Sequence, residues 1–251
     1  MLPSPSANSL QPVLSHPPTL VTTLWQSVVL LSAFFVGQLV GVGIATPWLL
    51  PETQGLSFGD KILQGSSHGT VTALAVMMAL ILVVGVAWLL IRMQGNRVSD
   101  YLALRAFKWS QLFGCVVLLL LLNVVINTIS IWLDRDPMVF LDELALTAQP
   151  FWLLAVAMVI IAPIYEEVIF RGFIWTGLSQ SKLGVWGASV LTSVIFALIH
   201  FQYGWVELVS IVLLAMLFSY ARYISGSLYL PIVLHILNNG LAMWQYVNMS
   251  H

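Results

Sequence analysis

The stretch Thr72-Ala73-Leu74-Ala75-Val76-Met77-Met78-Ala79-Leu80-Ile81-Leu82-Val83-Val84-Gly85-Val86-Ala87-Trp88-Leu89-Leu90-Ile91 contains no charged side chain. About 20 predominantly apolar residues in a helix suffice to cross the hydrocarbon core of a bilayer. A helix is one of the two backbone forms that satisfy their own hydrogen bonds there. Similar uncharged runs occupy residues 1–51, 62–91, 109–133, 144–165, 183–206 and 223–251. The 251-residue chain is 59% hydrophobic and 8% charged, against roughly 25% charged for a water-soluble domain. A soluble enzyme is excluded. The net charge of −1 excludes a nucleic-acid binder that works through a basic face. The single cysteine, Cys115, lies in an apolar run and reads as a small buried hydrophobe. It offers neither a disulfide framework nor a thiolate metal cluster.

The expected fold is all-α: a polytopic integral membrane helix bundle of about seven transmembrane helices plus a short amphipathic surface helix. The spans are expected near 22–50, 72–92, 110–133, 151–178, 185–201, 205–223 and 228–247. Residues 1–20, rich in Pro and Ser, read as a disordered tail without the basic region of a secretory signal. Residues 21–149 form an N-terminal set of transmembrane helices, and 150–247 a second unit that carries the chemistry. Arg97, Asp100, Arg105 and Lys108 alternate with Tyr101, Leu102, Leu104 and Phe107, the pattern of a helix lying on a membrane surface. Gly37 and Gly41 have the spacing that lets two helix backbones approach closely.

Nine tryptophans, Trp175 among them, fall near expected helix ends, as an interfacial belt requires. Four of the nine basic residues lie in the 92–108 connection. By the positive-inside bias this connection and the N-terminus are cytoplasmic. The acidic 134–149 loop, with Asp134, Asp136, Asp142 and Glu143, falls outside. A cytoplasmic (inner) membrane, or an organelle membrane of bacterial ancestry, fits this reading.

Against that apolar background, Ala162-Pro163-Ile164-Tyr165-Glu166-Glu167-Val168-Ile169-Phe170-Arg171-Gly172 stands out. Each charge at a helix centre costs on the order of 2.5–3.5 kcal/mol by insertion scales. Glu167 and Arg171 have the i, i+4 spacing of an ion pair on one helix face, with the acid N-terminal. Glu166 has no such partner and points about 100° away from Glu167, so the two carboxylates are not expected to address the same space. A carboxylate without a partner in the membrane is a candidate for function; a structural role in hydrogen bonds to neighbouring helices is the alternative. His200 ends the fifth span, and His235 with Asn239 shares one face of the seventh. Together these groups permit water activation: a carboxylate takes the proton, imidazoles orient the water, and an amide N–H meets a developing oxyanion. Glu166, His200 and His235 are equally a set that could hold Zn²⁺ with an open position, although the His-Glu-x-x-His helix of other zinc peptidases is absent.

The motifs Glu166-Glu167-x-x-x-Arg171, Phe196-x-x-x-His200 and His235-x-x-x-Asn239 resemble, in order and spacing, those of the CPBP family, which joins CAAX proteases and bacteriocin-processing (Abi) proteins. The resemblance covers about 150–245. It implies an intramembrane endopeptidase acting on membrane-associated or lipid-anchored peptides. Glu166 would activate the water, and Glu167 with Arg171 would form a supporting pair. His200, His235 and Asn239 would hold the water and stabilise the oxyanion, with Phe196 packed beneath. The resemblance is compatible with a metal-dependent and with a metal-free mechanism. The expected partners are membrane lipids and a membrane-bound or lipidated peptide, with no nucleic acid. A non-catalytic membrane scaffold or bacteriocin-immunity-type protein is the alternative function. A proton-coupled transporter is disfavoured because no internal repeat is visible, and Ser189 and Ser193 lack the context of a serine nucleophile. One geometric difficulty stands. Counted from the ends of straight spans at 1.5 Å per residue, Glu166 and His200 would miss each other by most of about 20 Å.

Overall fold

The computed structural model describes residues 14–135 and 139–249. Residues 1–13 of the expected tail, Asp136 of the expected outer loop and the terminal His251 lie outside them. Among the described residues every regular element is helical. The helices are α1 (Leu20–Leu49), α2 (Phe58–Ser66), α3 (Gly69–Met93), the single turn α4 (Val98–Tyr101), α5 (Trp109–Trp132), α6 (Val139–Thr147), α7 (Phe151–Ser179), α8 (Gly184–Leu198), α9 (Trp205–Ser225) and α10 (Tyr229–Met249). Five of them, α1, α3, α5, α7 and α9, are long and apolar enough to cross a membrane. The count of seven therefore exceeds what length and apolarity support. The expected fifth span is the 15-residue α8, too short for that role, and the expected seventh is α10, diluted by His235, Asn238, Asn239 and Gln245. The chain is a multi-pass integral membrane protein of helices.

The glycine pair of α1 is used as its spacing predicts. A Cβ on Gly37 would lie 2.7 Å from the Ala79 Cα, and one on Gly41 2.5 Å from the Ala75 Cα. Two small-residue stripes thus bring the backbones of α1 and α3 into direct contact. Around this seam Leu30, Phe34, Val76 and Val83 join the central core with Tyr165, Ile169, Phe170 and Phe173 of α7. Helix α7 is accordingly the most buried of the five long helices.

Three further expectations change. The expected amphipathic surface helix at 97–108 is only the turn α4, with Tyr101 and Leu102 buried in the core rather than spread on a surface. Beyond it Ala103 adopts a positive φ of 52°, and the chain becomes a strap over the turn between α9 and α10. Leu228 N donates to Ala103 O at 3.0 Å, Arg105 Nε bonds Gly226 O, and Ser227 Oγ bonds Arg105 O. Gly226 ends α9 with a φ of 61°, where a Cβ would be strained. Second, the tail is not free throughout: His16 N donates to Asn96 Oδ1 at 3.1 Å and Asn96 Nδ2 returns a bond to His16 O at 2.8 Å. Third, Trp175 is not at an interface. It is 1% exposed and donates its indole N–H to Ser189 of α8 at 2.9 Å.

Candidate functional site

Helix α7 changes register twice. Ala157–Ile161 and Val168–Ile174 are π-helical and flank the ordinary helical segment Ala162–Glu167. Pro163 lies just past the first wide turn. Its missing N–H and its ring disfavour regular α geometry over the preceding residues. Ala162 N bonds Ala157 O, five residues back, and Trp175 N likewise bonds Phe170 O. Such insertions rotate the downstream part of a helix and concentrate at functional sites. Here they enclose Glu166 and Glu167.

The carboxylates converge on one imidazole. Glu167 Oε1 accepts from Arg171 Nη1 and from His235 Nδ1, both at 2.9 Å. His235 Nε2 stands 3.6 Å from Glu166 Oε2. The expectation that Glu166 and Glu167 serve separate spaces is thus corrected: the histidine ring of α10 spans both, one nitrogen to each. The 100° between neighbouring helix positions separates the side chains but leaves room for a two-headed partner between them. Because an ionised carboxylate only accepts, the Nδ1 proton belongs to His235, and in the neutral tautomer its Nε2 faces Glu166 as an acceptor. All four side chains are buried, Glu167 and Arg171 completely.

Aromatic rings and a carbonyl complete the surround. The Arg171 guanidinium lies 4.9 Å above the Phe196 ring and 5.5 Å from that of Phe218, and its Nη2 donates to Ala215 O at 2.8 Å. His235 stacks on Phe218 at 4.8 Å and meets Phe196 edge-on at 5.8 Å. His200, at the turn after α8, packs on Phe196 at 4.8 Å, so both histidines border the same ring. His200 Nδ1 faces Phe196 O at 2.8 Å. A carbonyl only accepts, which assigns the proton to Nδ1 and leaves Nε2 bare.

The depth difficulty dissolves when both helices are measured from their shared turn at Gln180 to Leu183. Glu166 is 13 residues before Ser179, about 20 Å at helical rise, and His200 is 16 residues after Gly184, about 24 Å. Helix α7, 29 residues long, exceeds the bilayer core, so its N-terminal start was the wrong reference. The Phe196 ring borders both His200 and His235, which places His200 beside the imidazole that faces Glu166.

Asn239 is bonded to the backbone of α7. Its Nδ2 donates to Met158 O in the first π turn at 3.0 Å. Asn123 of α5 reaches the same region, donating to Asn238 Oδ1 at 3.1 Å, as a bond between neighbouring helices. Residue reading missed Tyr203, whose ring stacks on His200 with centroids 6.4 Å apart. Burial first, and then the Glu166 charge, push its hydroxyl pKa up to about 12. Its place three residues after His200 was the available signal. Arg222 was also missed. It is fully buried over the Trp175 ring, and its Nε donates to Arg171 O at 3.3 Å.

The donor set suits a metal in type but not in arrangement. Two bare imidazole nitrogens and a carboxylate oxygen are suitable ligands for zinc, and each Nδ1–H has the outer partner that metal-bound histidines use. Yet among the described residues no three His, Cys, Asp or Glu side chains gather closely enough to hold an ion. As arranged, Glu166, His200 and His235 do not form a metal cage.

The motif-bearing helices α7 to α10 are also where a known family matches. Residues 148–241 match the type II CAAX prenyl endopeptidase Rce1-like family. This Rce1-like segment contains Glu166, Glu167, Arg171, Phe196, His200, His235 and Asn239. Over 109 residues the chain is 33% identical to an uncharacterized 24.3 kDa protein of Escherichia coli, covering 37% of this chain and 50% of the relative. Over 56 residues it is 39% identical to the UPF0177 protein YbdI of Lactococcus lactis subsp. lactis (strain IL1403), covering 22% and 29%. The chain thus spans half the length of the first relative and less than a third of the second. No solved structure matches. The Rce1-like match leaves α1 to α6 outside, apart from the short link before α7.

Proposed function

We propose that this protein is an intramembrane endopeptidase that hydrolyses membrane-associated or lipid-anchored peptides with a water activated by Glu166. The observation that carries the reading is the His235 ring held between two buried carboxylates, 2.9 Å from Glu167 and 3.6 Å from Glu166. The match of residues 148–241 to the Rce1-like family supports it.

The 3.6 Å between His235 Nε2 and Glu166 Oε2 is long for a direct hydrogen bond, and a water between them would give one hydrogen to each. Its two lone pairs stay free, and one of them can attack. Glu166 takes a proton as the water oxygen bonds to the scissile carbonyl carbon and the carbonyl π pair moves to oxygen. Collapse breaks the C–N bond, and Glu166 returns the proton to the leaving nitrogen. Glu167 holds the Nδ1 proton of His235 and so keeps its Nε2 an acceptor, with Arg171 compensating the Glu167 charge. His200 Nε2 offers a second acceptor next to the site. Tyr203 keeps its hydroxyl proton throughout the neutral range and is suited to donate to the oxyanion. The N-terminus lies in the cytoplasm, and the membrane is a cytoplasmic membrane or an organelle membrane of bacterial ancestry.

The test is cleavage of a fluorogenic, lipid-anchored peptide library by detergent-purified protein beside Glu166→Gln. The amide cannot take the proton, so turnover should fall by at least about a hundredfold, with folded yield retained. Cleavage that survives Glu166→Gln would remove Glu166 from the mechanism.

A further inference from the structure

We propose that Asn239 is a positioning residue: its side-chain amide replaces the backbone N–H that Pro163 cannot give to Met158 O, and so holds the π turn that sets Glu166 opposite His235. The inference rests on the peptidase reading for its kinetic readout and stands on backbone geometry for the rest.

In a regular α-helix Met158 O would accept from the N–H of residue 162. Here Ala162 N is bonded to Ala157 O instead. In the wider register the donor to Met158 O would be residue 163, which is proline and has none. Both donors that the helix could supply are therefore absent. A carbonyl left bare in apolar surroundings is costly, and the π turn persists only if another element caps it.

The cap comes from α10. Asn239 Nδ2 donates to Met158 O at 3.0 Å. Its Oδ1 accepts from Asn238 Nδ2 at 3.4 Å, and Asn238 Oδ1 accepts from Asn123 Nδ2 at 3.1 Å. A chain of three amides thus runs from α5 to the backbone of α7, each orienting the next. Asn239 lies four residues after His235, on the same face of α10. One face of one helix therefore fixes the wide turn and presents the imidazole to the carboxylates beyond it. The second π segment uses a related device, with Arg222 Nε on Arg171 O at 3.3 Å.

The test is a double-mutant cycle. Asn239→Leu alone should lower kcat about tenfold or more with KM little changed, because Glu166 is misplaced rather than the substrate lost. Pro163→Ala restores an N–H at residue 163. In that background Asn239→Leu should cost less than about threefold, a coupling expected only of groups that share a partner. Equal losses in both backgrounds would overturn the proposal and put Asn239 on the reacting atoms. The same cycle is read by thermal unfolding in inactive Glu166→Gln protein. There Asn239→Leu should lower Tm by at least about 3 °C with Pro163 present, and by clearly less with Pro163→Ala. This arm needs no substrate, so a failed peptidase reading and a failed cap are told apart. If Pro163→Ala does not fold, Asn239→Asp, similar in shape but without an N–H, replaces it; a Tm equal to that of the parent would overturn the cap.

Discussion

Replacing Arg171 by methionine removes a charge and leaves most of the side-chain volume. The structure sets how much should be lost. Arg171 gives a charge-assisted bond to Glu167 at 2.9 Å and another to Ala215 O at 2.8 Å, and it lies against two aromatic rings at 4.9 and 5.5 Å. Charge-assisted bonds are worth about 1.5–3 kcal/mol each, and a desolvated cation on an aromatic face about 2 kcal/mol. These terms overlap, and breaking a fully buried pair by removing one partner costs about 3–5 kcal/mol. About 4 kcal/mol is the working expectation, because Glu167 keeps a buried charge with only the His235 N–H bonded to it. At about 2–4 °C per kcal/mol for a chain of this size, Tm should drop by roughly 10 °C. The assay is the fraction of detergent-purified protein that stays monodisperse through a temperature ramp, beside the yield of folded protein. The double variant Arg171→Met with Glu167→Gln removes both charges and should regain a substantial part of the loss. The reasoning is refuted if Arg171→Met melts within about 2 °C of the parent, or if the double variant is no more stable than the single one.

Gly41→Val should separate α1 from α3 at the point where a Cβ would stand 2.5 Å from the Ala75 Cα; a loss of about 1–3 kcal/mol is expected in the same ramp, whereas Gly85→Val, whose Cβ meets nothing within 4 Å, should leave Tm nearly unchanged. Tyr203 yields a pH prediction. Its pKa is raised from 10.0 to about 12, so the unfolded chain loses this proton first. The stability it contributes is complete below about pH 10 and disappears as pH rises toward about 12. The alkaline fall in Tm over that window should be shallower in Tyr203→Phe, and identical slopes would show that the hydroxyl is not held as described.

The parts of the site legible in the sequence were those set by local spacing. The Glu167–Arg171 pair follows from i, i+4 geometry on one helix, and the Gly37, Gly41 seam from small residues on one face. His235 was legible as a polar group in an apolar run, but its contact with both carboxylates depends on how α10 packs against α7, which no local rule supplies. The two π turns were hidden for a related reason. Pro163 announces a disturbed helix without saying that the chain widens, and the caps that stabilise the widening come from Asn239 and Arg222, 81 and 51 residues away from the carbonyls they bond. The surface helix failed because Tyr101 and Leu102 face the core: alternating charge and apolarity around one turn fits a strap equally well. The depth mismatch came from assuming that α7 starts at the membrane edge.

Helix α8 is only 15 residues long, about 22 Å, whereas the hydrocarbon core of a typical bilayer is about 30 Å thick. It carries Phe196 and leads directly into the His200 turn, and beyond that turn lie exposed Phe201 and Trp205. Too short to cross an unperturbed bilayer, α8 would span only one that thins or dimples around it. On the proposed peptidase reading, the polar boundary beside α8 would then lie nearer the histidines, which would bring water to the reaction. Lipid thickness thereby becomes a variable of the chemistry: membranes of short acyl chains should accommodate this indentation at less elastic cost than thick, sterol-rich ones.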